Sequence, residues 1–136
     1  MKRKILIVLV FMVWIVSIGA KKPIPEQEPK QIDFEANGFQ KMNTTAYNVG
    51  HHTANGSAVH EGGCACSISH IGDVAIIYTL DGKFLGYFEC NDTGAEGGGV
   101  RNGTVVDIYR TNYDRCVDWM VLTQGKCWVK WIEGDG

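Results

Sequence analysis

One hairpin constrains this chain more than any other stretch. Val74-Ala75-Ile76-Ile77-Tyr78 is a continuous apolar run rich in strand-forming residues. Asp81-Gly82 follows, a dipeptide suited to a tight reversal, and Phe84-Leu85-Gly86-Tyr87-Phe88 returns. A lone hairpin is marginal in water, so further strands must complete a sheet.

Candidates for those strands punctuate the rest of the chain. Lys41 to Tyr47 carries β-branched and aromatic residues between turn formers. Cys64 to Ile71 is short and mixed, Val105 to Tyr109 is apolar apart from Asp107, and Lys126 to Ile132 alternates strongly. Trp128 and Trp131 are an odd number of positions apart, so a regular strand sends them to opposite faces. Asn112 to Met120 is the one stretch with helical spacing, putting Tyr113, Cys116, Val117 and Met120 on one face. No βαβ rhythm appears. The pattern predicts an all-β fold, a small barrel of about six short strands with one short helix.

Three segments follow from composition. Residues 1–20 open with Lys2-Arg3-Lys4, continue through an apolar run from Ile5 to Ile18, and offer small residues for cleavage at Gly19 or Ala20. That is the layout of a signal peptide, or of a signal-anchor retained in the membrane. Residues 21–38 hold Pro23, Pro25 and Pro29 among Glu, Gln and Lys, and read as a linker. Residues 39–136 form the globular domain. The expected location is therefore secreted or membrane-anchored on the extracellular side.

Beyond residue 20 there are ten basic and fifteen acidic residues, a net charge of −5. Nucleic acid is an unsuitable partner for such a chain. The five cysteines, Cys64, Cys66, Cys90, Cys116 and Cys127, lie in the exported part, where disulfides persist. Cys116 with Cys127 is one candidate bridge, and either Cys64 or Cys66 with Cys90 is another.

Two carboxylates stand out. Asp107 sits between Val106 and Ile108, and strand alternation places it on the opposite face from both. A half-buried Asp should have a perturbed pKa. Asp92 lies in the polar stretch Asn91-Asp92-Thr93-Gly94. Two such carboxylates suit acid/base work on a glycosidic bond. The structural alternative makes Asp92 a turn residue holding the amides of Thr93 and Gly94, with Asp107 paired to Arg101 or Arg110.

Other groupings are weaker. His51, His52, His60, Cys64, Cys66 and His70 are metal-ligand types, but their spacing fits no strong zinc signature. No metal and no cofactor is expected. A Cys/His nucleophile lacks any local signature. Trp119, Trp128 and Trp131, with Tyr47, Tyr87 and Tyr109, suit either sugar stacking or core packing.

Four stretches, in order, carry a resemblance. They are Thr44-Thr45-Ala46-Tyr47 with Thr53-Ala54-Asn55-Gly56; Ile71-Gly72-Asp73-Val74 with Ala75-Ile76-Ile77; Asn91-Asp92-Thr93-Gly94; and Val100-Arg101-Asn102-Gly103 through Val106-Asp107-Ile108-Tyr109. Together they resemble the 3D (three-aspartate) domain of Gram-positive exported proteins, related to the barrel of membrane-bound lytic transglycosylase A and, more distantly, to RlpA and the expansins.

The resemblance implies a six-stranded double-psi β-barrel that cleaves peptidoglycan glycan strands by lytic transglycosylation. It implies Asp107 as catalytic acid/base and Asp92 as its supporting carboxylate, with Tyr47, Thr93, Gly94 and Tyr109 at the substrate. A monomer is expected. The family's first Asp falls where this chain reads Cys64-Ala65-Cys66-Ser67-Ile68, without a carboxylate. The loop between Asp92 and Asp107 is also longer than the family's, with Glu96-Gly97-Gly98-Gly99 added. A catalytically inactive glycan-binding barrel is the alternative function.

Overall fold

A computed structural model describes Gly19 and residues 30–135. The chain divides into two units, Met1–Lys30 and Gln31–Gly136, and the second carries the fold. The signal or anchor segment and residues 21–29 of the linker lie outside the described residues.

The described residues of this unit form six strands and one α-helix, with a single 3-10 turn at Ile68–His70: β1 (Gln40–Tyr47), β2 (Gly63–Ala65), β3 (Val74–Tyr78), β4 (Phe84–Asp92), β5 (Val105–Tyr109), α1 (Tyr113–Thr123) and β6 (Lys126–Ile132). The strands close into a barrel in the order β1-β5-β2-β4-β3-β6. The pairs β1–β5 and β2–β4 are parallel, and the other four are antiparallel. Closure leaves no free sheet edge.

Alternation builds the core. Met42 and Thr44 of β1, Ala75 and Ile77 of β3, Val106 and Ile108 of β5, and Cys127 and Val129 of β6 are all buried. Burying one such aliphatic side chain contributes about 1.5–3 kcal/mol. The predicted hairpin forms β3 and β4, with Thr79 N–H bonded to Lys83 O across the turn. β4 runs on through Asn91 and Asp92, so Asp92, a turn residue in the structural alternative, ends a strand.

The helix is where expected but turned. Asn112 caps it, its side chain accepting from Arg115 N–H at 3.0 Å. The buried face is Cys116, Trp119 and Thr123, whereas Tyr113, Val117 and Met120 are exposed. Trp119 anchors this face: its ring packs in the core against Phe88, and its Nε1–H donates to Thr44 Oγ1 at 2.9 Å.

Phe34, in the stretch read as linker, is buried and stacks on Trp128 with ring centroids 5.3 Å apart. It also meets Phe39 and Tyr78 edge-on. The ordered fold thus begins several residues before Phe39. Trp131, on the other face of β6 from Trp128, packs against the core and stacks flat on His70 at 4.4 Å.

Cys66 and Cys90 form a disulfide, one of the two pairings open at that site. Cys116 and Cys127 do not bridge; with Cys64 they are free and buried.

Candidate functional site

The candidate site is a row of four residues across four neighbouring strands. Thr45 of β1 pairs with Asp107 of β5, Asp107 with Ala65 of β2, and Ala65 with Asp92 of β4. Cross-strand partners share a face, and adjacent strands are about 4.8 Å apart. Asp107 and Asp92 are therefore separated by two strand spacings, about 10 Å between backbones.

The row lies on the outer face of the barrel, with Thr45 exposed, Asp92 and Asp107 partly buried, and Ala65 itself covered. Val106 and Ile108, either side of Asp107, are fully buried, so alternation turns Asp107 out. Thr44 points in, so Thr45 points out. Asp92 needs a further device. Cys90 points into the core, and regular alternation would return residue 92 to the interior. The register shifts here: Cys64 pairs with Cys90, and Ala65 with Asp92. Asn91 is the extra residue of a β-bulge, and it re-aims Asp92 to the face of Asp107.

Asp107 is half-buried and has no cation partner among the described residues. Arg110 bonds Glu61 instead, at 2.9 Å, and Glu61 also accepts from Thr111 N–H at 2.7 Å. Burial raises the Glu61 pKa, but these hydrogen bonds and the Arg110 charge outweigh it and hold Glu61 below the usual carboxylate range. The Asp107 carboxylate accepts one hydrogen bond, from Thr45 Oγ1–H at 2.7 Å. Burial pushes its pKa up most strongly. The Thr45 bond opposes this, and the nearby Asp92 charge adds to the rise.

Asp92 is held by backbone. Its Oδ1 accepts from Thr93 N–H at 2.9 Å and from Ala54 N–H at 3.0 Å. The expected partner Gly94 is replaced by Ala54, from the polar loop after β1. That loop thereby forms one wall of the site, and Oδ2 carries neither bond.

The remaining expected residues divide. Tyr47 and Tyr109 are register partners at the end of the β1–β5 ladder, packed edge to face with centroids 5.5 Å apart. Tyr47 Oη is buried and has no hydrogen-bond partner among the described residues. Burial first, then the charges of Asp92 and Asp107, hold the phenol well above its ordinary pKa. Thr93 donates its hydroxyl to Cys66 O at 2.7 Å, which ties β4 to β2. Gly94 serves packing: a Cβ there would lie 2.8 Å from Val100 Cβ.

The histidines and cysteines do not converge. His51 and His52 are exposed, His60 approaches Glu89 at 3.7 Å, and His70 Nδ1 meets Asp73 Oδ2 at 2.8 Å. Among the described residues, no group of three or more His, Cys, Asp or Glu side chains is placed to hold a metal ion. Burial pushes the free thiols up, Cys127 to about 12, which suppresses the nucleophilic thiolate. Trp119, Trp128 and Trp131 are engaged with Thr44, Phe34 and His70, and Tyr87 is exposed against Phe84, leaving Tyr47 and Tyr109 as the aromatics next to the row.

Sequence reasoning missed Thr45 and the Ala54 amide as partners of the carboxylates. Thr45 was accessible from alternation, since it shares a face with Tyr47. The Ala54 contact spans 38 positions through a loop and had no local signal. No protein-family model matches this chain, and no curated protein is similar enough to be matched to it.

Proposed function

We propose that this chain is an exported lytic transglycosylase that cleaves glycosidic bonds of the peptidoglycan glycan. The observation that carries the reading is Asp107: an outward, half-buried carboxyl with a raised pKa, in register with Thr45 and one strand removed from Asp92's neighbour Ala65. The parallel pairs β1–β5 and β2–β4 support a barrel of the double-psi type. The N-terminal basic and apolar pattern and the Cys66–Cys90 disulfide support export.

The chemistry needs one group that both gives and takes a proton. Protonated Asp107 donates to the leaving glycosidic oxygen. Its carboxylate then accepts the proton of the sugar's C6 hydroxyl as that oxygen attacks C1 and closes a 1,6-anhydro ring. No activated water enters, so a second carboxylate placed to activate water is not required. Burial, with the Asp92 charge adding to it, favours the protonated form of Asp107, and Asp92 is the supporting carboxylate on the same face. Tyr47 and Tyr109 offer apolar faces for the sugar ring.

A second reading has its own observation. Ala65 stands between the two aspartates, where a carboxylate would have completed the row. A silent glycan-binding barrel would use the same face for affinity alone. Mass spectrometry of purified peptidoglycan incubated with full-length protein separates the two. Anhydro-muropeptides from wild type but not from Asp107→Asn support the enzyme. Co-sedimentation with intact glycan and no product supports the binder. Full activity in Asp107→Asn would overturn the site assignment.

A further inference from the structure

The strand that carries Asp92 is irregular where the carboxylate emerges. Asn91, the extra residue of the bulge, is 1% exposed, and neither polar atom of its amide has a partner among the described residues. Leaving such a group unsatisfied costs about 1–3 kcal/mol. The bulge is thus not held by its own side chain.

It is held from β2 and from the loop after β1. Cys66 N–H donates to Asp92 O at 2.9 Å, and Asn55 N–H donates to Asn91 O at 3.1 Å. The covalent tie is the Cys66–Cys90 disulfide. Its halves flank the pair that presents the carboxylate: Cys66 follows Ala65, and Cys90 precedes Asn91.

We propose that Cys66 and Cys90 are positioning residues for Asp92, their disulfide holding the Asn91 bulge so that the second carboxylate stays on the outer face beside Asp107. The inference rests on the reading of Asp107 and Asp92 as the working pair. With the bond open, the Asn91 amide reaches water by releasing the end of β4 from the three-residue β2, and Asp92 leaves the row.

An external dithiol opens the bond by exchange. One thiolate attacks a protein sulfur, the second displaces it and closes the oxidised ring, and Cys66 and Cys90 end as thiols carrying the two electrons and two protons. Both residues are buried, so exchange waits on local opening of this corner. Cys64, buried and in register with Cys90, is the one further thiol close by.

The test follows the carboxyls rather than turnover. Full-length Cys64→Ser protein, labelled with carbon-13 at the aspartate carboxyls, is titrated by NMR with and without dithiothreitol. With Cys64 replaced, Tyr47 and Cys116 sense Asp107 and are common to the two forms. Reduction adds the Cys66 and Cys90 thiols, which the double alanine variant below lacks. Reduction should lower the Asp107 titration midpoint, because the Asp92 charge has moved away. Amides of β1, β3 and β6 should keep their exchange protection. Cys66→Ala with Cys90→Ala should match the reduced form.

An unchanged Asp107 midpoint in the reduced and variant proteins would overturn the proposal. So would global loss of protection, since the bond would then hold the barrel and not Asp92. On peptidoglycan, anhydro product should fall at least tenfold on reduction. Failure of the glycan reading shows separately, as no product from the oxidised protein.

Discussion

Thr45 Oγ1 donates to Asp107 Oδ1 at 2.7 Å, across the parallel β1–β5 ladder. Sixty-two positions separate the two residues in the chain, yet they are register partners on one outer face. This bond opposes burial and the Asp92 charge in setting the state of Asp107. Thr45→Val should therefore raise the Asp107 midpoint. The alkaline limb of any activity profile should move to higher pH with it, because activity needs the protonated acid. Carboxyl NMR titration and a pH–rate profile check the shift.

Asp107→Asn should abolish glycan cleavage by about 10²–10⁴-fold, the range for loss of a general acid/base. The amide keeps an oxygen for Thr45, so the barrel should persist. Anhydro-product yield and far-UV circular dichroism report the two properties separately.

The same substitution should stabilise the protein at neutral pH. The folded pKa of Asp107 is raised, so between the unfolded and folded values the native state holds a proton that the unfolded chain has lost. Stability falls as pH rises through that window and stays lower above it. Asn removes the cost of ionising a half-buried group. The gain should lie within the ~0.5–2 kcal/mol usual for single stabilising changes, and should vanish below the unfolded pKa. Denaturant unfolding of both proteins at acidic and neutral pH measures it.

Gly63→Ala should act on Asp92 from beneath. A Cβ at Gly63 would lie 2.9 Å from Asn91 Nδ2 and 3.2 Å from His60 O. Overpacking of this kind costs about 1–3 kcal/mol. Relief by moving Asn91 should disturb the bulge, so catalysis should fall more than stability alone explains. Unfolding midpoints and anhydro-product yield, compared on folded protein, give the two losses.

Starting the chain at Phe39 should weaken the domain. Phe34 is buried against Trp128, Phe39 and Tyr78, and losing a buried phenylalanine costs about 3–5 kcal/mol. Chemical denaturation of chains starting at residues 31 and 39 should show the difference. Phe34→Ala should reproduce most of it.

The strands were legible because their signals are local. Val74–Tyr78, the Asp81-Gly82 turn, Val105–Tyr109 and Lys126–Ile132 each carry their pattern within a few residues. The helix was legible as a segment but not in its orientation, since Trp119 answers to Thr44, 75 positions away. Phe34 was lost among prolines and charges because one aromatic in a polar stretch has no periodicity. The Asp92 face was hidden for a related reason: a bulge is a mismatch between two strands, and one strand alone does not reveal it.

The sequence by itself determined the short strands, the single helical segment and the odd position of Asp107, because alternation and turn chemistry act between near neighbours. It also placed five cysteines without pairing them. Only the tertiary structure decided which carboxylates share a face, which sulfurs join and which side of the helix is buried. Those depend on register between strands far apart in the chain. A shift of one residue reverses a side chain's direction, as Asn91 does for Asp92.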